Sequence, residues 1–153
     1  MFQCHKVIPR PAAVICLEIA DVTRWSEFKG YGILPGIANA KYEKRSADMI
    51  GSRIRVRNSD GSEHVEEIYK WVLGEEVAMK LHDFTPPLSY LATHFTEEWN
   101  LKATSDGTHV TRTFRLYPSQ RATRPLLWLI SLLLRQAIRQ HLENISTVSE
   151  KRG

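Results

Sequence analysis

The sequence is poor in cysteine, carries little net charge and has no apolar run long enough to cross a bilayer. Its two cysteines, Cys4 and Cys16, cannot build a disulfide framework, and both lie in apolar settings that suit buried filler. The longest apolar run, 125–134, falls well short of the about 20 residues that a spanning helix needs. The opening "MFQCHKVIPR" lacks the apolar core of a signal peptide, so a reducing cytoplasm is the expected compartment. The Asn-Ile-Ser sequon at Asn144 is then expected to carry no glycan.

Most signatures of known chemistry are missing too. There is no Gly-Lys-Ser/Thr, no complete G-x-G-x-x-G, no G-x-S-x-G and no H-E-x-x-H. The six histidines are scattered, and no Cys/His pair has metal-ligand spacing, so neither a metal nor any other cofactor is expected. With 21 Lys and Arg against 17 Asp and Glu, the net charge is only +4. The one basic cluster, Arg53, Arg55 and Arg57, alternates with Ile54 and Val56 and reads as the wet face of a strand. Nucleic acid is therefore not an expected partner.

What is present fits one domain, 1–153, with 42% hydrophobic and 25% charged residues. A short strand at 3–8 is followed by two short helices. Pro11 suits the first turn of "PAAVICLEIA", and Asp21 can cap "VTRWSEFK", which should end at Gly30. Six strands follow between Ile37 and Pro118, with the turns "NSDGS" and "SDGT" reading as hairpins. A long amphipathic helix closes the chain, capped by Ser119 or Thr123, with an apolar stripe of Leu126, Ile130, Leu133, Ala137, Ile138, Leu142 and Ile145.

The stretch "KGYGILPGI" contains three glycines but follows a helix and precedes a strand. A phosphate loop needs the opposite order, so that a helix N-terminus faces the anion. The loop is read instead as a tight connector.

The element order makes the fold class α+β: a seven-stranded, mostly antiparallel curved sheet wrapped round a long C-terminal helix. The order and three stretches, "IPRPAAVICLEIADVTRWSEF", "IGSRIRVRNSDGSEHVEEI" and "DGTHVTRTFRL", resemble the START-like or SRPBCC superfamily, the birch-pollen-allergen-like helix-grip fold. Within it the chain looks most like the polyketide cyclase/dehydrase and lipid-transport group. The resemblance implies a hydrophobic cavity between sheet and helix. Ligands in the superfamily include lipids, sterols, polyketides, quinones and plant hormones; some members are cyclases or dehydratases, and some are metal-bearing oxygenase domains.

Alternation within strands selects the cavity-facing side chains. Phe95, Glu97 and Trp99 share one face, as do Arg112 and Phe114. In "HVEEIYKWV" the face carrying His64, Glu66, Ile68 and Val72 is expected inward. Ile54 and Val56 join the set from the arginine-rich strand, and Ile130, Leu133 and Leu134 from the last helix. Tyr31, Ile33 and Leu34 of the glycine loop and Tyr90 of "TPPLSYLAT" are expected at the rim. Glu97 and Arg112 are then either an internal ion pair or a polar anchor for a ligand, and Glu97, Glu66 and His64 are the candidates for acid–base work.

The first half of the last helix, "PLLWLISLLL", is apolar nearly all round. Trp128, Leu129 and Leu132 lie off its stripe, and Arg121, Arg124, Arg135 and Arg139 flank them. This surplus suits transient contact with a membrane, a second copy of the chain, or cover from loops of the same chain. Three functions follow: a binding or transport protein for a small hydrophobic ligand, a cyclase or dehydratase using a cavity carboxylate or histidine, and an interaction module using the helix.

Overall fold

A computed structural model describes the backbone of residues 1–152 and the side chains of residues 1–147. Strand β1 (Phe2–Ile8) leads into helix α1 (Ala12–Ala20). Pro11 occupies the N-cap of α1 without a side-chain hydrogen bond. Asp21 caps the next turn by accepting from the Thr23 backbone N–H at 3.1 Å. That turn is a six-residue 3-10 helix, Val22–Glu27, shorter than the helix to Gly30 expected from sequence. It stops because Ile37 takes the Phe28 carbonyl at 2.9 Å and draws the chain towards the sheet.

The glycine loop folds into a minimal hairpin, β2 (Gly30–Tyr31) and β3 (Leu34–Pro35). Gly30 has φ +74° there, and a Cβ on it would lie 2.2 Å from the Leu34 carbonyl oxygen. Only glycine fits that position.

Strands β4 (Ile37–Lys44), β5 (Arg53–Asn58), β6 (Glu63–Val72), β7 (Glu76–His82), β8 (Ala92–Thr104) and β9 (Gly107–Pro118) complete the main sheet. All neighbours pair antiparallel, in the order β1-β9-β8-β7-β6-β5-β4. The first and last strands of the chain are thus hydrogen-bonded, and β4 forms the other edge. A one-turn helix, α2 (Leu88–Leu91), interrupts the connection from β7 to β8.

Helix α3 (Arg124–Arg152) lies against β1, β9 and the β2–β3 hairpin. Gln120 and Thr123 cap the turn that opens it. Ser119 does not; its hydroxyl donates to the Tyr90 carbonyl. The buried stripe of α3 runs through Leu127, Leu134, Ala137, Ile138, Leu142 and Ile145. Leu126, expected in the stripe, is exposed. Counting back from Ile130 by three or by four satisfies helical spacing equally, and the inward side chain is Leu127.

A second correction concerns β6. His64, Glu66 and Ile68 are buried as expected, but Val72 is exposed and Trp71 packs on the core. The pairing with β7 shifts between Ile68 and Lys70. Such an irregularity inserts a residue and exchanges the faces beyond it. Both cysteines are buried free thiols, and burial pushes the Cys16 thiol up.

Candidate functional site

Between α3 and the concave face of the sheet lies a cavity of about 330 Å³. That is within the roughly 300–1,000 Å³ of small-molecule sites. Its mouth is marked by Ile33, which lines the cavity yet is 90% exposed. Leu34 and Pro35 of the hairpin and Leu88 and Leu91 of α2 continue the wall. Thr123, at the start of α3, donates to the Leu91 carbonyl at 3.0 Å, which ties α2 to the helix.

Strand alternation carries a polar group into this largely apolar wall. Glu97 and Trp99 from β8 and Arg112 and Phe114 from β9 all line the cavity. Glu97 and Arg112 are each 4% exposed. Arg112 donates from Nε at 3.2 Å and from Nη2 at 2.7 Å to the same Glu97 oxygen, Oε1. Its guanidinium lies over the Trp99 ring, 4.0 Å from the centroid. A third donation, from Nη1, reaches His141 Nδ1 of α3 at 2.7 Å. Arg112 is thus held by a carboxylate, an imidazole and an aromatic face, which meets the cost of burying its charge.

Burial pushes the Glu97 carboxyl above its ordinary range, against the pull of Arg112 and with a push from Glu66. The Trp99 indole N–H favours the ionised form of Glu97 from close by, but reaches hydrogen-bond geometry with no acceptor. His141 is driven well below its ordinary value, first by burial and then by Arg112 and Arg24. It is a neutral acceptor facing Arg112.

A second polar group comes from β5 and β6. His64 Nε2 lies 3.0 Å from Glu66 Oε2, and Asn58 Nδ2 lies 3.4 Å from His64 Nδ1. With the amide donating to Nδ1, Nε2 holds the ring proton and donates to Glu66. Neither ring nitrogen is then spare, and the acceptor that remains is the second Glu66 oxygen. From the 3-10 helix, Arg24 contacts Glu18 at 2.8 Å and Glu27 at 3.2 Å.

Of the side chains expected from sequence, Ile33, Leu34, Glu66, Phe95, Glu97, Trp99, Arg112, Phe114, Ile130, Leu133 and Leu134 line the cavity, as does His64. Ile54, Val56 and Ile68 do not; they are fully buried in the solid part of the core. Tyr31 and Tyr90 also lie off the wall and are exposed, Tyr90 at 69%. In α2 it is Leu88 and Leu91 that turn inward, because a single helical turn places Tyr90 on its opposite side. Strand alternation does not select His141 or Arg24, and Asn58 reads from sequence as a turn residue at the hairpin entrance, yet all three line the cavity. For His141 a signal exists: it sits on the buried stripe, between Ile138 and Leu142. Among the described residues, no group of three or more His, Cys, Asp or Glu side chains has the arrangement of a metal site. Likewise no helix is long and apolar enough to cross a membrane.

No family model and no curated protein matches the sequence. Solved structures do match the fold. Ara h 8.0201 superposes with a TM-score of 0.71 at 15% identity, over 98% of this chain and 97% of the other. The di-domain ARO/CYC protein StfQ, from the steffimycin biosynthetic pathway, gives 0.70 at 14% identity; the match covers 99% of this chain and 51% of StfQ. Major latex-like protein 151 from Panax ginseng gives 0.62 at 15% identity, over 92% and 95%. The chain has the helix-grip fold.

Proposed function

We propose that this protein binds, and carries or presents, a small and mostly apolar molecule with a polar end. One observation carries the reading: the 330 Å³ cavity has an apolar wall and a deep polar pole made by Glu97, Arg112, His141 and Glu66. The apolar body of the ligand would replace water along the wall, at about 25 cal/mol per Å² of area removed from water. Its polar end would meet the Glu66 and Glu97 carboxylates. Both arginines of the wall are already paired with carboxylates, which favours a hydroxyl or an ammonium over an anion. The helix-grip likeness to Ara h 8.0201, latex-like protein 151 and StfQ agrees with a ligand-holding scaffold.

The test is titration with Nile red, an apolar uncharged fluorophore, in the native protein and in Ile130→Trp. Ile130 lines the cavity from α3, so the larger ring occupies the site. The expected result is saturable fluorescence that falls at least tenfold in affinity in the variant. Absent binding, or binding unchanged by Ile130→Trp, overturns the reading.

A second reading, acid–base catalysis of the cyclase or dehydratase kind on such a ligand, is favoured by the contrast between the two carboxyls. Glu97 is pushed up by burial while Glu66 is hydrogen-bonded to His64, and paired carboxyls in unlike environments suit acid and base roles. On that reading Glu66→Gln retains Nile red and abolishes turnover of a ligand extracted from the purified protein. Turnover that survives the substitution removes Glu66 from the chemistry.

A further inference from the structure

The whole net charge of the chain sits on one short stretch. Residues 119–142 contain Arg121, Arg124, Arg135 and Arg139 and no acidic residue. The remaining residues therefore hold 17 basic and 17 acidic side chains, out of 21 and 17 in all. All four arginines are exposed, and none forms an ion pair among the described residues. Two of them, Arg121 and Arg124, sit at the N-terminus of α3, where the helix dipole disfavours cations and acidic residues are the rule. Helix stability does not explain that placement.

The same stretch exposes a strip of large apolar side chains. Leu126, Leu129 and Leu132 recur at i, i+3 and i+6, and Trp128, 62% exposed, lies beside them. Spacing of four places Arg124 one turn before Trp128, and Arg139 one turn after Arg135. The strip reaches the cavity mouth. A side chain at Gly32 would lie 3.8 Å from Leu133, so the hairpin that exposes Ile33 rests on this helix. Tyr90, whose carbonyl is bonded by Ser119, stands at the helix start.

We propose that this face docks the cavity mouth on an anionic lipid surface. An apolar strip edged by unpaired arginines is the pattern of an interfacial helix: the leucines and Trp128 enter the boundary of the acyl region, and the guanidinium groups meet lipid phosphates. A protein partner would need an acidic rim round an apolar groove, and a second copy would bring like charge against like, with four unpaired arginines on each side. Charge therefore favours the lipid surface over self-association. Docking in this orientation opens the cavity towards the bilayer and gives an apolar ligand a path that avoids water.

Vesicle flotation tests this without any cavity ligand, and the substituted residues do not line the cavity, so its outcome is separate from that of the Nile red titration. Native protein is floated with phosphatidylcholine vesicles and with phosphatidylcholine vesicles containing phosphatidylglycerol. The expected result is binding to the anionic vesicles only, weakened by added salt. Arg135→Glu with Arg139→Glu should reduce partitioning at least 25-fold, at about fivefold for each arginine lost. Leu129→Glu should reduce it comparably, with unfolding midpoints of all variants close to the native one. Equal binding to both vesicle types, or no effect of the substitutions, overturns the proposal. So does light scattering that finds a stable dimer, dissociated by Leu129→Glu, with no flotation of the native protein; the face is then a subunit contact.

Discussion

His141 of the C-terminal helix accepts a hydrogen bond from Arg112 of β9 at 2.7 Å, which links the helix to the buried ion pair of the sheet. The imidazole must stay neutral to accept from a cation, and burial with two nearby guanidiniums holds it well below 6.5. In the unfolded chain it takes a proton near 6.5. Below that pH the unfolded state binds the extra proton, so stability rises with pH across the window and falls as the pH drops from 6.5 towards the folded value. The slope from this one group is about 1.4 kcal/mol per pH unit. His141→Gln offers an oxygen acceptor with no proton to gain. Urea unfolding between pH 6.5 and 5 should show the shallower slope in the variant; parallel curves would mean that His141 does not titrate on unfolding.

Arg112 and Glu97 make a second prediction. Arg112→Met leaves a carboxyl in an apolar wall and should cost about 3–5 kcal/mol, the usual range when one partner of a buried pair is removed. Adding Glu97→Met removes the stranded group. The double variant should be more stable than Arg112→Met alone, as read from urea midpoints. A double variant that is the less stable of the two would show that Glu97 contributes through contacts other than the pair.

These two residues also show how far the sequence can be read. Alternation along β8 and β9 placed Glu97, Trp99, Arg112 and Phe114 on one face, because strand periodicity is local and needs no knowledge of neighbours. The element order carried the helix-grip architecture for the same reason. Three things were not local. The irregularity after Ile68 exchanges Trp71 and Val72 between faces, and no turn residue marks it. The register of α3 on the sheet decides that Leu127 and not Leu126 is buried, and sets His141 beside Arg112. The extent of open volume decides that Phe95 lines a cavity while Ile54 and Val56 fill solid core, and volume belongs to no residue.

The glycine hairpin gives a prediction about the rim. Gly30→Ala puts an L side chain at φ +74°, which costs about 1–2 kcal/mol by itself, and drives its Cβ against the Leu34 carbonyl. The hairpin should shift and Nile red affinity should fall with stability. Ile33→Asp separates the two effects, since Ile33 is almost wholly exposed yet lines the mouth. Its expected signature is weaker Nile red binding with an unchanged unfolding midpoint. Unchanged binding would take the hairpin tip out of the mouth.

The charges of the wall predict which polar end is preferred. Glu18, Glu27, Asp60, Glu66 and Glu97 line the cavity against Arg24 and Arg112. Arg24 contacts Glu18 and Glu27 through Nη1 and Nε, with only Nη2 left without an acceptor, and all three donating nitrogens of Arg112 are taken by Glu97 and His141. Hydrogen bonds from Ser62 hold the Asp60 carboxyl below its ordinary value, so it stays charged. An incoming carboxylate would lose its water and meet like charge. An alcohol or amine of equal length would find acceptors. Competition of dodecanol, dodecylamine and dodecanoate against Nile red at pH 7 should rank the carboxylate last by at least tenfold, equivalent to about 1.4 kcal/mol. Glu66→Gln should narrow the gap between amine and carboxylate, because it deletes the deep charge that no guanidinium offsets. Dodecanoate binding tightest would reverse the assignment and make the unpartnered Nη2 of Arg24 the anchor.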